Sequence, residues 1–329
     1  MPHFPSLTLP RRHTLALGAA LLLGQSAWAN DWPARPIKLV VGGPAGAGMD
    51  IFARMLQAPL QAALKQPVII ENKPGANSLI GIDSVAKATP DGYTFSFAPS
   101  SAIALNPLVV AKMPYDTLRD LLPVAQIGQS GFLLVAHPST GFKNLQDMVQ
   151  FARANPGKLS YGTWGNGSSG HLAMEGLKQQ FSVDMPHIPY KGTASLVNDL
   201  MGNNLSVGFA DIASPVPHVR AGKLVALGVT GSRRAPALAE LPTVAEQGYK
   251  FDADGWYGVF APAGTPMDIV RRLNEEINKI LATEDMRLKF NAQNMPAPPI
   301  KTAEQFAATV RSDVNLWQGL AKGVNLKAE

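Results

Sequence analysis

Pro36-Ile37-Lys38-Leu39-Val40-Val41-Gly42-Gly43-Pro44-Ala45-Gly46-Ala47-Gly48-Met49-Asp50 decides how the rest of this 329-residue chain is read. Its first six residues form a short apolar run of the kind buried in a sheet. The glycines that follow permit backbone angles and close approaches closed to other residues. From about Asp50 the apolar positions Phe52, Met55, Leu56, Leu60, Ala63 and Leu64 recur at helical spacing. Asp50 is suited to cap that helix, and Pro59 argues against one straight rod. Strand, glycine loop and helix in succession are the repeating unit of an α/β fold.

The unit recurs along the chain. Val68 to Glu71, Thr94 to Ala98 and Phe132 to Ala136 are strand candidates, with Leu79 to Ala88 and Leu145 to Ala154 as helices. Lys158 to Thr163 leads through the turn Trp164 to Gly170 into a helix over His171 to Gln180, beginning after Ser168 or Ser169. Met185 to Ile188 leads through Pro189-Tyr190-Lys191-Gly192-Thr193 into Ala194 to Met201. Leu205 to Phe209 and Leu224 to Val229 add strands. An amphipathic helix starts at Pro266, with Ile269, Leu273, Ile277, Ile280 and Leu281 on one face and Arg271, Arg272, Glu275, Glu276 and Lys279 spaced for ion pairs. Phe306, Val310 and Trp317 predict a last helix returning to the first domain's core.

Arg11 and Arg12, the apolar run Leu15 to Leu23 and Ala27-Trp28-Ala29 have the order of an export signal cleaved near Ala29. The run is shorter than a bilayer span, so a soluble periplasmic chain is expected, exported by either the general or the twin-arginine route. Zero cysteines exclude a disulfide framework and a thiol nucleophile. The formal charge of +5 includes both leader arginines, and Arg233-Arg234 and Arg271-Arg272 are isolated pairs, so no nucleic-acid partner is expected.

Glycine-rich, uncharged loops before helix starts expose backbone N–H groups to an anion. Four such loops are Gly42 to Asp50, Pro74-Gly75-Ala76-Asn77-Ser78, Gly165-Asn166-Gly167-Ser168-Ser169 and Lys191-Gly192-Thr193, with Gly46, Ala47, Gly48, Met49, Asp50, Ala76, Asn77, Ser78, Thr163, Gly167, Ser168, Ser169, Lys191, Gly192 and Thr193 as the candidate contacts. They favour a carboxylate-binding cleft. A nucleotide site fits less well, because the first loop lacks a Gly-Lys-Ser/Thr end and a full GxGxxG, although Glu71 stands on the next strand. Ser168 or Ser169 with His171 and a later acid is the hydrolase alternative, but neither serine has glycines two before and two after it. His171 and Glu175 could share a helix face as metal ligands, but no third ligand is specified. No cofactor and no metal are expected.

Further words extend the pattern: Trp32-Pro33 with Pro36-Ile37, Glu71-Asn72-Lys73-Pro74-Gly75-Ala76, Asp91-Gly92-Tyr93-Thr94, and Gly170-His171-Leu172 with Glu175. Pro189-Tyr190-Lys191-Gly192, Arg220-Ala221-Gly222-Lys223, Leu241-Pro242-Thr243-Val244-Ala245-Glu246-Gln247-Gly248, Trp256 and Ala261-Pro262-Ala263-Gly264-Thr265-Pro266 complete it. In number and order they resemble the extracytoplasmic solute receptors of tripartite tricarboxylate transporters, the Bug receptors, over essentially all of the mature chain.

That resemblance implies an α/β, two-domain periplasmic-binding-protein (Venus flytrap) architecture. The first domain would span 30–130 plus 251–329 and the second 131–250, behind a signal peptide at 1–29. It implies a receptor rather than an enzyme. The ligand is a small organic acid, the di-, tricarboxylate or aromatic class, held by backbone amides, hydroxyls and water. Integral membrane transporter components are the expected partners, a monomer is the expected state, and a signalling receptor is the rival role. Family loops commonly end Gly-Gly-Pro-Thr/Ser-Asp, where this chain has Gly46-Ala47-Gly48-Met49-Asp50. Met49 therefore replaces a hydroxyl, either as an adaptable surface for a larger or aromatic acid or as a core residue. Trp164, Phe97 and Tyr190 are the rings that such a ligand could meet.

Overall fold

In a computed structural model, residues 32–231, 233–251, 253–322 and 324 are described; the signal segment and its cleavage near Ala29 lie outside them. The apolar runs form two five-stranded sheets. The first contains β1 (Ile37–Val41), β2 (Val68–Asn72), β3 (Thr94–Pro99), β4 (Leu121–Ser130) and β10 (Gly255–Pro262), in the order β2-β1-β3-β10-β4. The second contains β5 (Leu133–Ala136), β6 (Tyr161–Thr163), β7 (His187–Pro189), β8 (Val207–Ala210) and β9 (Val225–Val229), in the order β7-β6-β8-β5-β9. The two follow one plan. β1 is parallel to β2 and β3, as β6 is to β7 and β8, and the fourth place is taken by an antiparallel strand, β10 or β5.

Each antiparallel strand is the first to enter its sheet after the chain crosses from the other lobe. β4 passes into β5 through Gly131 and Phe132, and β9 returns to β10 through residues 230–254. The crossings touch: Phe132 N–H donates to Thr230 Oγ1 at 2.8 Å, and Thr230 N–H donates to the Phe132 carbonyl at 2.9 Å. A Cβ at Gly131 would lie 2.1 Å from the Thr230 carbonyl oxygen, so only glycine fits.

Two strands of the first sheet, β4 and β10, have no counterpart in the periodicity of the sequence. β4 carries Pro123, which is tolerated because β4 is the sheet's edge. Its pairing with β10 shifts register between Tyr257 and Gly258 and between Val259 and Phe260, which breaks the alternation a regular strand displays. Buried Asn274 donates to the Val124 carbonyl beside the second shift, at 2.7 Å.

The helix over Gly48–Leu64 begins two residues before the expected start and runs unbroken past Pro59, burying Phe52, Ala53, Leu56, Leu60 and Leu64 on one face. The final helix, Ala303–Ala321, does more than return to the first lobe. Phe306 and Val310 pack with Trp256 and Phe260 of the first lobe, whereas Val314 and Trp317 share a cluster with Leu172 and Tyr249 of the second. The Trp256 indole N–H donates to Asp313 on the same helix. Among the described residues no helix is long and apolar enough to cross a membrane.

Paired glycine substitutions check this arrangement. Gly131→Ala must displace a backbone carbonyl and is expected to lower stability by about 1–3 kcal/mol. Gly319→Ala, in the last helix with nothing within 4 Å of its Cβ position, is expected to raise it by about 0.5–1 kcal/mol. Denaturant midpoints read both, and equal midpoints for the two variants would contradict the packing described.

Candidate functional site

The strands deliver their carboxyl ends to the region between the lobes, where open α/β sheets bind ligands. β1 feeds the loop before Gly48, β2 the loop before the helix Leu79–Ala86, β6 the loop before Ser169–Phe181, β7 the turn before Thr193–Met201, and β8 the turn holding Asp211. Loops from the two lobes meet. The Cβ position of Gly48 is 3.6 Å from Tyr257 Oη and 3.9 Å from Asp211 Oδ2, and that of Gly167 is 2.6 Å from Val109 Cγ2. Gly167 also has φ +67°, so both its backbone and its neighbour require glycine.

Asp50 is a scaffold for the first loop rather than its cap. The N-cap is Ala47, and Asp50 lies inside the first turn, 1% exposed. Its carboxylate accepts from Gly46 N–H and Arg54 Nε at 2.8 Å and from Asn72 Nδ2 at 2.9 Å. Burial opposes ionisation, but the hydrogen bonds from Arg54, Gly46 and Asn72 prevail and hold the carboxyl below its usual range. Gly46, Ala47 and Gly48 are thereby fixed with the helix's free amides ahead of them. The Met49 side chain lies over Gly43, whose Cβ position is 3.2 Å from Met49 Cε, and is partly buried against a core cluster to which both lobes contribute.

The second loop carries three consecutive left-handed residues, Ala76, Asn77 and Ser78, at φ 44°, 48° and 66°. Such a run costs about 1–2 kcal/mol per residue and persists only where its surroundings fix it. Buried Asn106 supplies that support: it accepts from Asn77 Nδ2 at 2.9 Å and donates to the Asn77 carbonyl at 3.2 Å. Buried Ser78 packs against Gly42, so the first two loops are in contact.

Across the cleft Ser168 is the N-cap of its helix, its Oγ accepting from His171 N–H at 3.2 Å. Ser168 and Ser169 are buried. The fully buried Thr163 has its hydroxyl against His187 Nε2 at 2.7 Å and the Gly165 carbonyl at 3.1 Å. The His171 and His187 rings stack at 4.0 Å, and His171 Nδ1 accepts from Gly167 N–H at 3.2 Å. The histidines therefore buttress the loop. Glu175 accepts from Tyr161 Oη and pairs with Lys178, an engagement within its own lobe. In the last loop Gly192 occupies the N-cap with φ 101°, Thr193 is the first helical residue and half-buried, and Lys191 is exposed.

Of the rings, Phe97 is fully buried, Trp164 packs on Phe132 at 5.2 Å, and Tyr190 Oη donates to Asp199 at 2.8 Å. Sequence reasoning missed Asp211, Tyr257, Asn106 and Val109. Asp211 stands directly after a strand that was legible, so the rule that sites follow strand ends applied to it as well. Two recesses of about 430 and 400 Å³ lie elsewhere, one beside Tyr249 and the last helix, the other beside Arg35 and Tyr93. Neither includes a loop residue named here, and neither gathers helix starts from both lobes.

Residues 52–326 match a family model described as the tripartite tricarboxylate transporter family receptor. Protein BugT of Bordetella pertussis is 34% identical over 301 residues, 91% of this chain and 92% of its own. R. palustris Rpa4515, solved with adipate, is 31% identical with a TM-score of 0.85, covering 90% of this chain and 99% of that one. MatC from Rhodopseudomonas palustris, solved with bound malate, is 27% identical with a TM-score of 0.81, covering 88% and 99%.

The histidine buttress has a pH signature. Burial, then His171 and Lys178, push His187 down to about 3, against an ordinary value of 6.5. The unfolded chain binds this proton first, so the contribution is complete above pH 6.5 and is lost as pH falls from there toward about 3. His187→Gln is expected to flatten the melting temperature over that window; an unchanged slope would contradict the assignment. Ser168→Ala removes a cap and is expected to cost about 1 kcal/mol by chemical denaturation.

Proposed function

Because the chain belongs to the tripartite tricarboxylate transporter receptor family, we propose that it captures a small organic carboxylate in the periplasm and delivers it to integral membrane components of such a transporter. The observation that carries this reading is the convergence of strand-to-helix loops from two lobes, with Gly48 and Gly167 each facing the opposite lobe. Free amides at the helix starts of Gly48–Leu64 and Ser169–Phe181 suit an anion without an arginine clamp.

In this reading a signal peptide is removed near Ala29 and the mature chain acts as a monomer. Residues 30–130 plus 251–329 form one domain and residues 131–250 the other, hinged at the paired crossings. The contact set is Gly46, Ala47, Gly48, Met49, Asp50, Ala76, Asn77, Ser78, Thr163, Gly167, Ser168, Ser169, Lys191, Gly192 and Thr193, with Asp50 and Thr163 acting through the loops they brace. The adipate and malate of the two related structures support a carboxylate as cargo. The ligand leaves chemically unchanged, and a surface formed only on closure gives the membrane partners a basis for choosing loaded receptor.

Calorimetry against di-, tricarboxylic and aromatic acids tests the binding step, with Ser168→Ala and Thr193→Ala each expected to weaken a bound acid by about 0.5–1.5 kcal/mol. Affinities unchanged in both variants would remove these hydroxyls from the contact set. Reconstituted uptake that does not depend on the receptor would overturn the delivery role.

A further inference from the structure

The cleft proposed to hold an anion contains a fixed carboxylate of its own. Asp211 follows β8, and its Oδ1 accepts from Ser214 N–H at 2.9 Å while Oδ2 accepts from Ser214 Oγ at 3.2 Å. These bonds hold the carboxylate in one orientation. Oδ2 reaches across to the first lobe, 3.9 Å from the Cβ position of Gly48, the residue that opens the helix Gly48–Leu64. Tyr257 Oη lies 3.6 Å from that same position. Burial, then Asp211, push the Tyr257 phenol above its ordinary range, so it keeps its proton. The Cβ position of Gly48 thus has a neutral donor and an acceptor within 4 Å of it.

We propose that Asp211 is a specificity-determining residue: with the ligand carboxylate held at the helix start of Ser169–Phe181, it selects organic acids whose far end, beside Gly48, carries a hydrogen-bond donor, a hydroxyl or an ammonium group, over plain dicarboxylates of the same length. The inference rests on the carboxylate-receptor reading and deepens it. An ionised carboxylate only accepts hydrogen bonds. A hydroxyl or ammonium brought beside Oδ2 gives it a donor, whereas a second ligand carboxylate brings a like charge into a closed cleft where water screens it poorly. Ser214 prevents the Asp211 side chain from swinging away to relieve that conflict.

The test compares matched acids on the purified mature receptor by calorimetry. One set is butyrate, 4-hydroxybutyrate, 4-aminobutyrate and succinate; the other is benzoate, 3-hydroxybenzoate, 3-aminomethylbenzoate and benzene-1,3-dicarboxylate. In whichever set binds, the wild type is expected to favour the hydroxyl or ammonium member over the dicarboxylate by at least about tenfold. Asp211→Asn keeps the side chain's shape and is expected to bring that ratio to within about threefold, mainly by tightening the dicarboxylate. Asp211→Ser is a second uncharged variant should the first not fold. A wild type that binds the dicarboxylate as tightly as the donor-bearing acid, or a ratio unchanged in the uncharged variant, overturns the role of Asp211 and leaves the receptor reading standing. If neither these sets nor the wider acid panel bind the wild type, the carboxylate-receptor reading fails and this inference with it.

Discussion

The exchange of hydrogen bonds between Phe132 and Thr230 is the constraint on which the two lobes depend. It ties two crossings, far apart in sequence, into one narrow joint, and the missing side chain at Gly131 lets them come that close. From the joint each strand enters a sheet as its antiparallel member, β5 on one side and β10 on the other. The remaining strands then present their carboxyl ends toward the other lobe. A joint opened by one side chain would move every loop of one wall relative to every loop of the other.

The loops are rigid in proportion to what braces them. Asp50 accepts the amide of Gly46, Asn106 holds a left-handed run at Ala76, Asn77 and Ser78, and the His171 and His187 stack stands under Gly167 and Thr163. In each case a polar side chain is engaged within the protein so that backbone groups can face a ligand. Binding by backbone amides needs such preparation, because an amide cannot reorient without moving the chain.

Much of the α/β pattern was legible because its strands lie between recognisable turns and its helices bury regular stripes. Reasoning from the period of apolar residues, which finds β1 at Ile37–Val41, failed for β4 and β10. There Pro123, Gly128 and two register shifts erase the period, although β10 is paired on both sides in its sheet. The glycine loops were legible as loops, and their helix starts lay within a few residues of expectation. The division of labour inside them was not: Asp50 looked like a cap, yet its partners Arg54 and Asn72 make it a brace. Asp211 and Tyr257 converge on Gly48 only through the folding of two lobes together, a relation that no local spacing encodes.

The last helix has a consequence for cooperativity. Each lobe has a sheet and could in principle melt separately, but Phe306 and Val310 are rooted in one and Trp317 in the other. Unfolding either lobe strips the helix of part of its burial, so the loss propagates to its neighbour and favours a single shared transition. The tail therefore acts as a thermodynamic coupler at the end of the chain farthest in sequence from the first glycine loop. It lets cleft loops change with little risk that one lobe becomes a free-standing, partly unfolded half.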